Sequence, residues 1–474
     1  MRAHLGAELE RLARDTPLSG WRVAFSGGLD SAVLLAALLE LRREEPRWQA
    51  VPLRAMHVHH GLRAAADAWA RHCRGVCRRL GVPLQVRRVR VLQARGASLE
   101  AAAREARYAA LGRGLKSDEW LLTAHHADDQ LETMLLQWMR GAGVAGLAAM
   151  PSRAPFGAGF LMRPLLAVPR AELERYARAN ELVWVEDDSN LEQGFERNYL
   201  RAQVVPLLQA RWPAAARVAT RSAAHLGEAK ALLEEIAALD LAALLAPGGQ
   251  ALNLAALAAL SAARQRNVLR HWLARRGLTV PDTVHLERIR LELPSARADA
   301  QPRVRWAGGE VRRFREHLFA FTAAQSAALT RPRPGAREPA LQPWDWRRDR
   351  CFELDANRGR LQLVADAQGT IDGDLLPARL WVGGRVGGEK IRITPNGPRR
   401  ALKALLRDAA LPPWERERLP VIHVAPERAA AAATASEATI FAVGASFVDA
   451  AWQVRDTARG ARSRYRLEWA GRFW

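Results

Sequence analysis

A short glycine-containing segment after the first apolar run combines residue types that suit phosphate binding. Adjacent glycines let a backbone turn tightly and approach a ligand closely, and free N–H groups at a helix start attract anions. Serine hydroxyls supply further donors, while an aspartate suits a Mg²⁺ ion or a helix cap. The segment consists of Ser26, Gly27, Gly28, Leu29, Asp30 and Ser31. It predicts a nucleotide-phosphate site, although a capped helix after a glycine turn fits the same residues.

A histidine-rich segment follows the second apolar run. His57, His59 and His60 stand at or just beyond residues 51–58, and Arg63 follows them. In open α/β sheets, residues at the carboxyl ends of strands line the ligand crevice. Three histidines could also form a zinc site, but no carboxylate or cysteine partner stands at ligand spacing. His57 alone is equally compatible with a packed core histidine.

Paired charged residues mark two helical patterns. Arg104 and Arg107 recur with Tyr108 on one helical face, which is also how an ordinary salt-bridged surface looks. Asp129 and Glu132 stand three apart after the fourth apolar run, so a helix would place both carboxylates on one side. There they could hold an ammonium group or accept a proton. The helix dipole alone would also favour an acidic helix start.

Alternating apolar runs and amphipathic stretches predict the elements that must position these residues. The apolar runs predict five strands and the helical periodicity predicts five helices. The strands are expected at 21–25, 51–58, 84–91, 120–124 and 182–185, and the helices at 31–43, 64–80, 98–115, 129–139 and 169–180. Their alternation predicts an α/β fold with a doubly wound, mostly parallel sheet, in which the glycine segment joins the first strand to a helix.

The whole chain predicts several domains, since 474 residues exceed one ordinary core. We expect the α/β domain at 1–215, a helical middle domain at 216–325, and a linker at 326–374, where Pro and Arg residues follow no sustained period. A small α+β domain is expected at 375–455, followed by a basic tail at 456–474.

Positive charge dominates the composition. Lys plus Arg number 71 against 50 Asp plus Glu, which gives a formal net charge of +21. A polyanion is the expected partner, although a solvated, arginine-rich surface would give the same balance. Three cysteines cannot form a disulfide framework in a chain of this length, and we find neither a signal segment nor an apolar run of membrane length. We therefore expect a cytoplasmic protein that does not enter membranes.

The glycine segment follows neither the Walker A nor the Gly-x-Gly-x-x-Gly pattern. It resembles the SGGxDS motif of the PP-loop ATP pyrophosphatases, which binds the pyrophosphate that leaves as ATP is cleaved to AMP. Other stretches resemble the tRNA(Ile)-lysidine synthase family and extend the similarity over most of the chain. They are HVHHGLR at 57–63, LEAAAREARY at 99–108, TAHHADDQLET at 123–133, RGAGVAGL at 140–147, RPLL at 163–166, EDDSN at 186–190, RNYLR at 197–201, and the basic segments 387–392, 398–406 and 412–416.

This resemblance implies ligation of L-lysine to the wobble cytidine of the isoleucine tRNA with a CAU anticodon, with ATP and Mg²⁺ as cofactors. Besides the glycine segment, His57 would contact ATP, and Asp30 would hold the metal ion. The implied catalytic residues are Asp30, Arg104, Arg107, Asp129 and Glu132. The implied substrate-binding residues are Arg63, His125, Asp129, Glu132, Arg197, Lys390 and Lys403. The two carboxylates would hold lysine, and one of the two catalytic arginines would neutralise charge on ATP.

Three other functions agree with parts of the sequence. Some PP-loop enzymes thiolate tRNA with reactive cysteines, and Cys73 and Cys77 share a helical face that we expect to lie outside the crevice. Amidating PP-loop enzymes lack the basic tRNA-binding segments. An RNA-binding protein with a relic loop would not explain the intact polar residues of that loop. The sequence leaves the oligomeric state open, a homodimer included.

Overall fold

The computed structural model describes ten stretches of the chain. They are 1–61, 66–91, 99–186, 196–246, 248–297, 300–330, 341–354, 358–424, 438–454 and 463–470. The chain forms two compact units, Met1–Leu233 and Glu234–Trp474. Within the described stretches, no helix is both long and apolar enough to cross a membrane.

The first unit contains a six-stranded sheet with helices on both faces. Its strands are β1 (Gly20–Ala24), β2 (Leu53–His59), β3 (Leu84–Arg88), β4 (Glu119–Leu122), β5 (Arg153–Phe156) and β6 (Gly159–Met162). The order is β3-β2-β1-β4-β6-β5, and every pair is parallel except the β5–β6 hairpin. The doubly wound, mostly parallel fold that the sequence predicts is therefore confirmed.

Ten helices accompany this sheet, and an eleventh spans the boundary between the units. They are α1 (Arg2–Ala13), α2 (Leu29–Glu44), α3 (Pro46–Gln49), α4 (Ala66–Leu80), α5 (Leu99–Gly112), α6 (Ala127–Met139), α7 (Val144–Leu147), α8 (Arg170–Ala179), α9 (Glu196–Tyr199), α10 (Val205–Arg211) and α11 (Ala215–Leu244). A π-helical turn at Leu200–Val204 joins α9 to α10.

Side-chain alternation along the strands separates two apolar clusters. Val23 and Leu122 lie in the larger cluster, which packs under α1, α2, α4 and α8. Leu121 and Met56 point the opposite way, into a smaller cluster with Leu111 of α5. Because successive strand residues face opposite sides, β1, β2 and β4 are buried between these helices, as a parallel sheet requires.

The strand that the sequence predicts at 182–185 is wrong. These residues form no strand, and the hairpin β5–β6 at 153–162, which the sequence pattern missed, completes the sheet. The Val185 N–H instead donates to the Gly27 carbonyl at 2.9 Å. The apolar run was misleading because it packs against the glycine segment, whereas the hairpin was hidden by its Pro and Gly residues, which favour loops.

The second unit begins with helices and an antiparallel sheet. Its elements are β7 (Ala251–Asn253), α12 (Leu254–Ala258), α13 (Ala262–Arg275), α14 (Thr283–Ser295), β8 (Arg303–Trp306), β9 (Gly309–Phe314), β10 (His317–Thr322) and α15 (Ala323–Thr330). The strands are ordered β7-β10-β9-β8. The sequence pattern anticipates the helices of this region but not the sheet.

Smaller sheets make up the rest of the second unit. The strands are β11 (Gln342–Asp345), β12 (Cys351–Glu353), β13 (Arg360–Ala365), β14 (Ile371–Asp372), β15 (Arg379–Gly383), β16 (Lys390–Ile391), β17 (Arg400–Ala401), β18 (Val421–Val424), β19 (Thr439–Val443), β20 (Phe447–Val448) and β21 (Arg464–Ala470), and the helices are α16 (Leu402–Asp408) and α17 (Pro413–Arg416). They form the sheets β11-β15-β18-β19-β20, β12-β13-β21-β14 and β16-β17.

Strands also lie within the stretches that the sequence pattern assigned to a linker and a tail. The predicted linker at 326–374 contains the strands β11 to β14, and the predicted tail at 456–474 contains β21, which pairs with β13 along six residues of each strand. β21 gives little local signal, because its partner β13 lies about a hundred residues away and register depends on the partner.

Trp414 joins α17 to the sheet of β7 to β10. Its ring makes edge contacts with Phe314, Phe319 and Phe321 at centroid distances of 6.0, 5.4 and 5.6 Å, and the Arg312 guanidinium lies 5.3 Å from it. The indole is 5% exposed. This aromatic cluster joins the short helix α17 to the sheet of β7 to β10 within the same unit.

Replacing Trp414 with Ala should lower the free energy of unfolding by about 3–5 kcal/mol, because it removes a large buried ring. Urea unfolding followed by circular dichroism measures this loss. Trp138→Ala is the matched control: that ring is 64% exposed, so its loss should cost less than about 0.5 kcal/mol. Equal effects of the two substitutions would contradict the stabilising role of the cluster.

Candidate active site

The glycine segment is a tight turn between β1 and α2. Gly27 has a φ of +88°, and its N–H donates to Ser31 Oγ at 3.2 Å. The Gly28 N–H donates to Ser26 Oγ at 3.3 Å, and the two serine hydroxyl oxygens lie 3.1 Å apart. Since α2 begins at Leu29, the N–H groups of its first turn point to the carboxyl edge of the sheet, where anions bind.

Gly27 also lies close to the neighbouring helix α4. A Cβ on Gly27 would come within 2.8 Å of Cys73 Sγ, and Cys73 Sγ lies 3.4 Å from His57 Nδ1. His57 Nδ1 is 3.0 Å from the Phe25 carbonyl, and burial lowers the pKa of His57. His57 is therefore buried beneath the turn, where it contacts the carbonyl of Phe25, two residues before Gly27.

The position of Cys73 corrects the expectation that both cysteines lie outside the crevice. Its thiol is buried directly against the phosphate-binding turn. Burial raises the pKa of Cys73 to about 12 and that of Cys77 to about 11. Both side chains therefore stay protonated thiols, which are poor nucleophiles.

His126 brings two carboxylates together beside the turn. Its Nδ1 accepts from the Asp129 N–H at 3.4 Å, and its own N–H donates to Asp129 Oδ2 at 3.1 Å, so the pair forms a reciprocal cap at the start of α6. With Nδ1 accepting, the ring proton belongs on Nε2. Nε2 lies 3.4 Å from Asp129 Oδ2 and 3.7 Å from Asp30 Oδ2.

Asp30 retains an oxygen that suits a metal ion. Its Oδ1 is buried and makes no hydrogen bond to the described residues. Burial raises the pKa of Asp30, and the nearby Asp129 adds to this, while His126, Arg170 and Arg201 act against it. No three metal-ligating side chains cluster among the described residues. One carboxylate together with phosphate oxygens and water is nevertheless how Mg²⁺ is commonly held.

Asp129 and Glu132 lie on one side of α6, as their spacing predicts, and both are paired with arginines. Arg201 donates to Glu132 Oε1 at 2.7 Å and to Asp129 Oδ1 at 3.0 Å. Arg197 donates to Glu132 Oε2 at 2.9 Å and to the Thr133 hydroxyl at 2.8 Å. Both arginines come from the segment around the π-helical turn, a backbone feature often found at functional sites.

This pairing argues against Asp129 as a proton acceptor. Burial alone would raise the pKa of Asp129, but His126, His125, Arg197 and Arg201 outweigh it, so the pKa lies below its usual value. A carboxylate that stays ionised can hold a cation but accepts a proton poorly. Among the carboxylates beside the turn, Asp30 is the one whose pKa is raised.

A second group of basic residues lies around His125. Arg104 and Arg107 lie over the Tyr108 ring, with guanidinium carbons 4.9 and 5.5 Å from its centroid. His125 Nδ1 lies 2.9 Å from the Thr123 hydroxyl. Burial lowers the pKa of His125 to about 3; the positive charges of Arg163, Arg107 and Arg104 add to this, and Asp129 opposes it. His125 is therefore neutral at physiological pH.

The remaining predicted site residues either fall outside the described residues or belong to the second unit. Arg63 and residues 187–190 of the EDDSN segment lie outside the described residues. Lys390 on β16 and Lys403 on α16 belong to the second unit, and both are exposed.

The structure gives contacts to four residues for which the sequence analysis named no individual role. They are His126, Arg201, Arg163 and Cys73. Two of them had a usable signal: His126 stands three residues before Asp129, which is capping-box spacing, and Arg201 stands four after Arg197, on the same helical face. The burial of Cys73 beside Gly27 depends on how α4 packs, and no local pattern predicts it.

Family models match three parts of the chain. A PP-loop domain matches residues 1–208, a TilS substrate binding domain matches 252–319, and a TilS substrate C-terminal domain matches 380–469. The first match contains the turn, Asp129 and Glu132 of α6, and the arginines paired with them.

Full-length similarity decides the family. The tRNA(Ile)-lysidine synthase of Alkalilimnicola ehrlichii is 44% identical over 86% of this chain and 87% of its own length. The chain belongs to the tRNA(Ile)-lysidine synthase family. The tRNA(Ile)-lysidine synthase of Pseudomonas aeruginosa is 45% identical over 90% of this chain and 92% of its own length, and that of Coxiella burnetii is 40% identical over 86% and 87%.

Among solved structures, the U34-tRNA thiolase NcsA from Methanococcus maripaludis is similar over 48% of this chain and 78% of its own. Its TM-score is 0.40 and its identity is 18%, which is too low to carry an argument. As a tRNA(Ile)-lysidine synthase family member, the chain is a ligase that forms a carbon–nitrogen bond and uses ATP.

Gly27→Ala should slow pyrophosphate release from ATP by roughly 10–100-fold, because it adds a Cβ where the backbone is left-handed and Cys73 already fills the space. Initial rates at saturating ATP measure the loss. Gly227→Ala is the control, since a Cβ at Gly227 in α11 meets no atom within 4 Å. A wild-type rate in Gly27→Ala would show that the turn tolerates both the side chain and the strain.

Proposed function

We propose that this enzyme joins L-lysine to C2 of the wobble cytidine, position 34, of the CAU-anticodon isoleucine tRNA. One ATP is converted to AMP and pyrophosphate, and the product nucleoside, lysidine, changes the codon read from AUG to AUA. The observation that carries this proposal is the bridge formed by His126, which places Asp129 of α6 beside Asp30 of the phosphate turn. A site for an ammonium group thus adjoins a site for phosphates.

The reaction needs two steps. In the first, the C2 oxygen of the cytidine attacks the α-phosphorus of ATP, and pyrophosphate leaves. The N–H groups at the start of α2 and the hydroxyls of Ser26 and Ser31 receive the leaving group, since they are aimed donors at a helix N-terminus. In the second, the ε-amine of lysine attacks C2, and the C2–oxygen bond breaks to release AMP.

Asp30 fits a Mg²⁺ ion at the turn, through its buried Oδ1. When bound, the ion would neutralise charge on the phosphate oxygens. The same carboxylate faces His126 through Oδ2, so it is held in place whether or not its other oxygen is engaged.

The basic group around His125 suits the nucleotide being activated. Arg104 and Arg107, stacked on Tyr108, can neutralise charge that develops on the α-phosphate. A base inside a stacked anticodon loop cannot reach ATP, so the cytidine must be turned out of the loop. Neutral His125 offers a hydrogen-bonding partner without adding charge to this group.

Lysine binding falls to the network on α6. A free amino acid carries both an ammonium and a carboxylate, and the network offers both complementary charges. Asp129 is ionised, and only its Oδ1 is paired with an arginine, while its Oδ2 accepts the His126 backbone N–H. Both oxygens of Glu132 are held by arginines, so Asp129 keeps more of its negative charge and is the better ammonium site. Glu132 then acts by orienting Arg197 and Arg201, which can meet the lysine carboxylate.

We propose that the second unit binds parts of the tRNA other than the cytidine that reacts. Lys390 and Lys403 are exposed, and phosphate contacts of this kind position a nucleic acid without reading its sequence. The net charge of +21 favours the same partner. We also propose a cytoplasmic location and leave a homodimer to direct measurement of mass in solution.

Purified protein mixed with ATP, labelled lysine and unmodified CAU-anticodon isoleucine tRNA should release AMP and pyrophosphate and place the label in the RNA. Thin-layer chromatography of nucleotides and acid precipitation of RNA measure the products. The reaction with a sulfur donor in place of lysine is the comparison for tRNA thiolation, which the two buried, protonated thiols disfavour. Release of ADP, or RNA without lysine, would refute the proposal.

Asp30→Ala and Asp129→Ala should each lower lysine transfer by at least about a hundredfold. The first removes the carboxylate proposed to hold Mg²⁺, and the second removes the carboxylate proposed to bind the ammonium group of lysine. Filter binding of tRNA should change less than about threefold, since neither side chain is assigned to it. Glu8→Ala serves as the control: Glu8 pairs with Arg11 on α1, and its loss should leave both measurements unchanged. Equal loss of transfer and tRNA binding would instead indicate that Asp30 and Asp129 maintain the fold.

A further inference from the structure

Arg22 is a charged residue buried inside the sheet of the first unit. It lies on β1, next to Arg54 of β2 and Leu121 of β4 in the strand register, and it is 2% exposed. Its Nη2 donates to Glu119 Oε2 at 3.0 Å. Arg54 donates to the other carboxylate oxygen of Glu119 from the surface side.

The remaining Nη hydrogens of Arg22 reach the end of α5 and the turn that follows it. Nη1 donates to the carbonyls of Leu111 and Arg113 at 2.9 and 3.1 Å, and Nη2 donates to the Gly114 carbonyl at 2.8 Å. Carbonyls at a helix C-terminus lack partners within the helix and carry partial negative charge. One guanidinium therefore binds three carbonyls at the end of α5 and in the turn after it. The residue that carries this guanidinium belongs to β1, the strand that leads into the phosphate turn.

The ion pair alone does not explain an arginine at this position. Burial lowers the pKa of Arg22, and Glu119 only partly offsets this. A buried ion pair is often matched in stability by apolar residues, but an apolar residue here would leave three carbonyls without their donor. Charge-assisted hydrogen bonds are directional, whereas the apolar packing of Leu111 against the sheet is not. The arginine thus determines where α5 ends.

The helix that Arg22 holds is the one that carries the two catalytic arginines. Arg107 precedes Leu111 by one turn and Arg104 precedes it by two, which is roughly 6 and 10 Å along the helix. A shift of α5 would move both guanidinium groups by a similar amount. Misplacement by about 1 Å can slow a reaction about a hundredfold.

We propose that Arg22 is a positioning residue for the activation of the cytidine: it sets the register of α5, and so of Arg104 and Arg107, against the phosphate turn. This inference rests on the proposed function, because only that reaction gives the two arginines a phosphorus atom to face. Arg22 itself touches no substrate.

The test uses the full chain carrying Arg22→Met together with Glu119→Gln, so that no unpaired carboxylate is left in the sheet. Pyrophosphate release in a single turnover, with enzyme and ATP in excess over the tRNA, should fall roughly 10–100-fold. Hydrogen exchange of the α5 amides should become faster while exchange in α2 stays the same. Arg54→Met is the matched control, since it removes the other partner of Glu119 but no bond to α5, and its rate should stay within about twofold of wild type.

A double-mutant cycle separates positioning from a general loss of structure. In a chain that already carries Arg104→Ala and Arg107→Ala, adding the Arg22 and Glu119 substitutions should cause less than about a twofold further loss of rate. A full further loss, or an unchanged rate or unchanged α5 exchange in the Arg22 variant, would overturn the inference. So would a wild-type rate in the Arg104/Arg107 variant, because α5 would then carry nothing to position.

If the Met/Gln protein does not fold, Arg22→Lys takes its place under the same criteria, since it keeps the charge but cannot reach all three carbonyls. Wild-type protein assayed alongside distinguishes the two proposals. Wild-type protein that forms no lysidine refutes the proposed function and the inference with it. Lysidine formed by both wild type and the Arg22 variant at equal rates refutes the inference alone.

Discussion

The site depends on the imidazole of His126, which contacts both Asp30 and Asp129. It lies between two acidic side chains from different helices, and burial makes their mutual repulsion strong. By accepting the Asp129 N–H at Nδ1, the ring is held with its other nitrogen toward both carboxylates. The start of α6 and the start of α2 are thereby tied to one another at the carboxyl edge of the sheet.

The residues that follow β4 separate an acidic part of the crevice from a basic part. Neighbouring residues, His125 and His126, serve opposite groups: His126 serves the carboxylates, and His125 lies among Arg104, Arg107 and Arg163. Successive residues of extended backbone point in opposite directions, so a two-residue segment can face a basic group and an acidic group at once. Nucleotide activation and amine delivery need such separation, since an ammonium placed among the arginines would be repelled.

Local patterns predicted the parts of the molecule that depend on near neighbours. Strands β1 to β4, the glycine turn and the shared side of Asp129 and Glu132 follow from periods of a few residues, and the fold class and family are confirmed. The pairing of Glu132 with Arg197 and Arg201 spans more than sixty residues of sequence. Because of this pairing, we assign Glu132 to orienting the two arginines instead of binding the ammonium group. The site roles themselves remain predictions.

The wrong assignment at 182–185 shares a physical cause with the missed strands and residues. The run at 182–185 has strand composition but finds its backbone partner at Gly27, and β21 becomes a strand only because β13 and β14 are beside it. Arg22 looks in the sequence like a misplaced charge in an apolar run. Its partners, Glu119 and the carbonyls at the end of α5, lie about ninety residues away, where no periodicity can point.

The phosphate turn already satisfies several of its own backbone N–H and carbonyl groups. The Gly27 N–H is bonded to Ser31, the Gly28 N–H to Ser26, and the Gly27 carbonyl to Val185. Arrival of a triphosphate is then an exchange of internal hydrogen bonds for external ones, with little net gain in their number. Because the turn is already ordered, ligand binding costs little conformational entropy there. The attraction between the turn and the triphosphate then depends mainly on charge.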